Sequence, residues 1–179
     1  DIINQMVEQA RFNFSKNALY FIMWGFLLMA AAMVEYALLK MGTTQYFWMS
    51  WPLAGLVGGV LSAIMGKSIE KEQGHQTHLD KMYGQIWVIF FITLICIIPS
   101  LVLMGISAPA GYIMILTGMP TVLTGRLLHF KPLIYGGITF WILGLSAIFV
   151  LPELGNLLFM LSMITGYLIP GFIMKSIRK

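Results

Sequence analysis

Residues 111–130 read GYIMILTGMPTVLTGRLLHF. The stretch is apolar and as long as a helix needs to be to cross a bilayer, about 20 residues at a rise of about 1.5 Å each. It is more than lipid filler. Gly111, Gly118 and Gly125 recur at seven-residue spacing, Pro120 lies near the middle among Thr117, Thr121 and Thr124, and Arg126 closes the segment. Seven-residue spacing keeps one helix face turned toward a partner in a left-handed crossing. Small residues on that face let two backbones approach in lipid, where helices gain nothing from hiding apolar surface from each other. The expectation is a membrane protein with a close helix seam.

Composition agrees. Of 179 residues, 59% are hydrophobic and 10% charged, whereas a soluble domain averages about 45–50% apolar and about 25% charged. So few charges cannot cover a soluble fold of this length, so lipid is the expected solvent for most of the chain. Length and the lack of a long polar stretch imply a single transmembrane domain over residues 18–179. The one cysteine, Cys96, lies in an apolar run; it excludes an intramolecular disulfide and a cysteine-cluster metal site. The net charge of +4 is accounted for by basic residues at helix ends. Nucleic acid is not an expected partner, because no basic stripe exists apart from them. The first residues lack the basic region, short apolar core and small-residue cleavage site of a signal peptide.

Outward from 111–130, six apolar runs read as spans over residues 18–39, 46–66, 85–106, 108–128, 132–151 and 156–174. The fold class expected is an all-α membrane protein of six transmembrane helices in three hairpins. An amphipathic helix over residues 1–17 precedes them: Ile3, Val7, Ala10 and Phe14 recur at helical period opposite Glu8, Arg11 and Ser15. Such a segment commonly lies in the headgroup plane. Basic residues set the orientation. Arg11, Lys16, Lys67, Lys71, Lys81, Arg126, Lys131, Lys175, Arg178 and Lys179 fall on one side and Lys40 on the other. Both termini are therefore expected to be cytoplasmic, in the cell (inner) membrane. The hairpins also resemble one another. Tyr20 and Trp24, Tyr83 and Trp87, and Tyr135 and Trp141 open the first helices, and Gly59 with Gly66-Lys67 parallels Gly118 with Gly125-Arg126. That pattern suggests a parallel two-helix repeat.

Two readings of the small and polar residues stay open. In the first, Gly55-x-x-x-Gly59, Gly66, the 111/118/125 stripe and Gly166 are packing positions in a seam between the second, fourth and sixth helices. In the second, Thr117, Pro120, Thr121, Thr124 and Glu35 line a path. Pro120 deprives the Leu116 carbonyl of its N–H partner, and Thr117, Thr121 or water could satisfy it. Glu35 is the only acid within a span, and an intramembrane carboxylate is a functional hypothesis by default; alternatively it reaches the outer interface beside Tyr36 and Lys40. Arg126 fits a helix C-terminus and the basic side. His75, His78 and Asp80 form H-x-x-H-x-D in the longest loop, weak candidates for a divalent metal; a solvated, charge-mixed loop explains them as well.

Enzyme readings lack parts. No histidine lies within a span, which leaves no haem ligand or buried Ser–His pair. Gly66-Lys67-Ser68 lacks the earlier glycine of a phosphate loop. No cofactor is expected. The leading expectation is a non-enzymatic packing or regulatory membrane protein that binds a membrane partner or a second copy of itself. The alternative is a small transporter or channel whose path runs by Glu35 and the Thr/Gly/Pro stretches of the fourth and sixth helices.

Overall fold

The computed structural model describes the backbone of residues 2–42, 49–73, 78–105 and 109–176, and side chains over 18–42, 49–68, 80–101, 103–105 and 109–176. All regular structure there is helical. The helices are α1 (Ile2–Lys40), α2 (Ser50–Gln73), α3 (His78–Leu103), α4 (Pro109–Leu127) and α5 (Lys131–Phe149). A 3-10 turn (Pro152–Leu154) then leads into α6 (Gly155–Met163), a π turn (Ile164–Leu168) and α7 (Ile169–Ser176), which together form one interrupted helix. The expected starts at Tyr46 and Ala108, the His75 position and the C-terminal Ile177–Lys179 lie outside the described residues.

Four helices are long and apolar enough to cross a membrane: Ala18–Lys40, Asp80–Leu101, Lys131–Phe149 and the last helix, Pro152–Ser176. α2 and α4 are diluted by glycine and, in α4, by threonine and proline. The exterior is that of a protein dissolved in lipid. Leu56 and Ile95 are each 70% exposed and Phe149 77%, exposure that water penalises and lipid does not. At 39 residues, α1 is about 58 Å long, close to twice the hydrocarbon thickness of about 30 Å. No break separates residues 2–17 from the first span; they continue its helix.

Helix ends reflect local chemistry. Gly42 (φ 74°) and Gly105 (φ 67°) take the left-handed conformation just past α1 and α3, where glycine is the favoured residue. The α4–α5 turn is made differently. Phe130 N–H bonds Gly125 O at 2.8 Å and His129 N–H bonds Arg126 O at 3.1 Å, a Schellman closure with a histidine in the glycine position. Pro132 then sits in the first turn of α5, where its missing N–H would have had no partner anyway.

The last helix is the centre. Half of its most apolar window is buried (50%), against 11% in α3. α1, α4 and α5 pack along it. α2 reaches it through Trp51 against Phe159, ring centroids 5.0 Å apart, and α3 through Trp87 against Tyr167 at 6.3 Å.

The most extensive pairing is between α4 and α5, and the glycine stripe explains it. A Cβ placed on Gly118 would stand 2.9 Å from Gly137 O, and one on Gly111 would stand 2.9 Å from Gly144 O. The reverse distances, from Gly137 to Gly118 O and from Gly144 to Gly111 O, are 3.0 and 2.9 Å. Backbones this close leave no room for a side chain at these positions on either helix. The partner of the stripe is therefore α5, through a second seven-residue glycine pair, and not a seam common to α2, α4 and α6. Gly55 and Gly59 meet nothing within 4 Å. The glycine of α2 that packs is Gly58, beneath the Trp24 ring, whose nearest atom would lie 2.5 Å from an added Cβ.

Candidate functional site

The buried polar residues gather where α4 faces the π turn. On α4, Thr117, Thr121 and Thr124 project from one face and are 4%, 0% and 0% exposed. No water-sized space adjoins the last two. Threonine hydroxyls in membrane helices commonly bond the carbonyl four residues back. Thr117 donates to Ile113 O and Thr121 to Thr117 O, both at 2.7 Å. Neither hydroxyl turns to the Leu116 carbonyl that Pro120 leaves free. The neighbouring Ile115 carbonyl accepts from Trp141 Nε1 of α5 at 3.0 Å, which ties the two helices beside the proline.

The π turn sets Tyr167 against this face. Ile169 N–H bonds Ile164 O, five residues back, and Pro170 comes next with no N–H to give. The Gly166 carbonyl, four residues before that proline, faces α5 instead: a Cβ on Gly136 would stand 2.8 Å from it. Thr139 Oγ1 and Thr165 Oγ1 meet at 3.1 Å across the same contact. Tyr167 is 2% exposed. Its ring packs edge-on to Phe140 of α5 (5.2 Å), Phe21 of α1 (5.4 Å) and Trp87 of α3 (6.3 Å). Its hydroxyl lies beside the Thr121 side chain, whose own proton goes to Thr117 O. One residue thus joins α1, α3, α4 and α5. Two buried atoms in this neighbourhood, Thr124 Oγ1 and Trp87 Nε1, have no hydrogen-bond partner.

Glu35 is elsewhere, toward the other end of the bundle, and is half-buried. Trp51 Nε1 of α2 donates to Glu35 Oε2 at 3.0 Å, and the Asn156 side chain of α6 lies beside the same carboxyl. The carboxyl therefore joins α1, α2 and α6. Lys40 does not share it; its ammonium lies 5.6 Å above the Tyr36 ring. Glu35 and the threonine row are not brought together.

Of the other positions singled out by sequence, Arg126 is exposed at the end of α4. Gly66 has only the Tyr20 hydroxyl near it, 3.5 Å from an added Cβ. Gly125 abuts the first turn of α5, its added Cβ 2.8 Å from Ile134 N, and Gly166 lies under Phe140. His75 and the His78 side chain are outside the described residues; Asp80 is half-buried and has an interaction of its own. Among the described residues no group of three or more His, Cys, Asp or Glu side chains converges.

Tyr167, Gly137 and Gly144 escaped the sequence reading. The signal was present in two forms: a second pair of glycines seven apart, and a Gly-Tyr four and three residues before a proline.

Four helices able to cross a membrane, an apolar exterior and a tightly packed polar core place this chain among the helical membrane proteins. It matches no family model, no curated protein and no solved structure.

Proposed function

We propose that the chain is a multi-pass protein of the cell (inner) membrane that works by helix-face association, binding a second copy of itself, and not by catalysis. In this reading α2 and α4 also span. The six spans form three hairpins in a parallel two-helix repeat, both termini are cytoplasmic, and the amphipathic start of α1 lies at the inner interface. The observation that carries it is the contrast between two glycine faces. The glycines of α4 are filled by α5, whereas Gly55 and Gly59 of α2 meet nothing and are flanked by exposed Leu56 and Val60. Small-x-x-x-small faces of this kind let a second helix approach closely in lipid.

The test is single-molecule photobleaching of the labelled protein in vesicles across protein-to-lipid ratios. Wild type should form dimers at the higher ratios, and Gly55→Leu with Gly59→Leu should shift the equilibrium toward monomer at least about tenfold. A wild type that stays monomeric throughout sinks the reading. Reporter fusions inserted between residues 73 and 78 and at the C-terminus, both expected to be cytoplasmic, test the topology.

Transport is the second reading. It is favoured by the buried, unpartnered Thr124 hydroxyl and by the π turn of the last helix, since π turns occur often at functional sites. Flux through reconstituted protein, reduced by Glu35→Gln or Gly118→Leu, would support it.

A further inference from the structure

We propose that Glu35, where α1, α2 and α6 meet, is the acceptor of a binding site for a primary ammonium group, supplied by the headgroup of an aminophospholipid. The inference does not rest on how the chain associates. It starts from a charge without a counter-charge. Residues 17–66 and 132–174 contain one basic residue, Lys40. Lys40 follows Glu35 by five residues, about 140° further round the helix, and its ammonium is over the Tyr36 ring. The next basic residue along α2, Lys67, is 16 residues from Trp51, about 24 Å along the helix. Among the described residues Glu35 makes no ion pair.

A carboxylate inside a span whose own chain offers no cation points to a cation from outside. Its surroundings hold it in place. Trp51 Nε1 bonds Oε2 at 3.0 Å, and the indole stands edge-on against Phe159, which is 1% exposed. The Asn156 side chain lies beside the same carboxyl. A carboxylate accepts about four hydrogen bonds, so the indole leaves acceptor capacity free. Glu35, Trp51 and Asn156 are each only half-buried, so a ligand can reach the carboxyl.

The acceptors select the ligand. One carboxylate and one side-chain amide fall short of the about six to eight oxygens that a calcium ion takes. An ammonium brings only N–H donors, three in number, and these the carboxylate and the Asn156 amide oxygen can accept. Depth and surroundings select the source. Glu35 stands five residues below Lys40, the last residue of α1, a drop of about 7.5 Å. Leu39, one turn above Glu35, is 41% exposed, and Val34, just before it, is 50% exposed. Apolar side chains at this depth favour an amine carried on an amphiphile over one dissolved in water.

The test compares lipid binding by the purified full chain in phosphatidylcholine vesicles doped with spin-labelled phosphatidylethanolamine or spin-labelled phosphatidylcholine, whose headgroup nitrogen has no N–H to give. Wild type should prefer the ethanolamine lipid by about tenfold, the factor that one hydrogen bond to a charged group supplies. Glu35→Gln, which keeps an acceptor for Trp51, should abolish that preference. Glu153→Gln, which removes the exposed acid in the turn before α6, should keep it and shows that diffuse charge is not responsible. Millimolar ethanolamine in the buffer should not displace the lipid; displacement would keep the ammonium site and overturn the lipid as its occupant. The proposal is overturned by a wild type without the preference, by Glu35→Gln that retains it, or by an equal loss in Glu153→Gln. A thermal midpoint of Glu35→Gln well above the assay temperature separates lost binding from lost folding.

Discussion

His129 holds φ at 52°, a backbone conformation that places the Cβ of an L-residue against its own carbonyl and that glycine adopts freely. The two hydrogen bonds of the α4–α5 turn require it. His129→Gly should therefore stabilise the protein by about 1 kcal/mol, read as a rise in the midpoint of thermal unfolding in detergent; a lower midpoint would mean that the imidazole makes a contact that outweighs the strain. Trp51 supplies a contrasting case. Its indole N–H is donated to Glu35 across two helices, and Trp51→Phe removes that donor while keeping most of the ring that packs on Phe159. Interhelical hydrogen bonds in membranes average about 0.6 kcal/mol, and bonds to charged groups are worth about 1.5–3 kcal/mol. A loss of about 1 kcal/mol is expected, and a double-mutant cycle with Glu35→Gln should show coupling between the two; additive effects would deny the bond. Glu35 was legible in the sequence as the one acid within a span. Its partners were not, because they come from helices 16 and 121 residues away along the chain, and only packing brings them together.

Helix faces decide which of the glycines matter. On α4 the seven-residue stripe could be read directly, since periodicity survives in one dimension. Its partner could not, because seven-residue spacing fixes a face but does not say what lies against it. α2 shows how fine that limit is. Gly58 packs under Trp24 while Gly59, the next residue, looks outward, a rotation of about 100° that no composition rule detects. Gly118→Ala should destabilise the protein by about 1–3 kcal/mol, because the new methyl meets the Gly137 carbonyl and Trp141 with no room to yield. Gly59→Ala should be neutral or gain up to about 1 kcal/mol from helix propensity alone. Equal effects of the two, measured by reversible unfolding in mixed micelles, would contradict the α4–α5 contact. The π turn belongs to the same scale. Pro120 and Pro170 each free a carbonyl four residues earlier, yet α4 runs through Pro120 as α-helix and the last helix does not. The difference lies in the neighbour that each helix face meets: Trp141 bridges to α4 beside its proline, while Gly136 lets the last helix press its freed carbonyl onto α5.

For the molecule as a whole, the question is whether its polar interior is a path or a clasp. Helical class and an apolar exterior could be inferred from composition, as could the concentration of hydroxyls on α4. Whether those hydroxyls are wet could not, because a threonine facing water and one folded back on its own helix have the same sequence. Here Thr117 and Thr121 are folded back, Thr121 and Thr124 have no exposed surface, and Tyr167 covers Thr121 while packing against three further helices. A centre built this way resists opening, since moving Tyr167 would break ring contacts worth about 0.5–1.5 kcal/mol each beyond their buried area. The consequence can be measured by thiol chemistry. With Cys96→Ser as background, a cysteine at Thr121 should resist a membrane-impermeant maleimide applied from either side, whereas one at Lys67 should label readily from one side. Tyr167→Ala in the Thr121→Cys background should raise labelling by removing the ring that closes the seam, at a stability loss of about 3–5 kcal/mol. Fast labelling at position 121 with Tyr167 in place would mean that water reaches the middle of the bundle, and the transport reading would then take precedence over association.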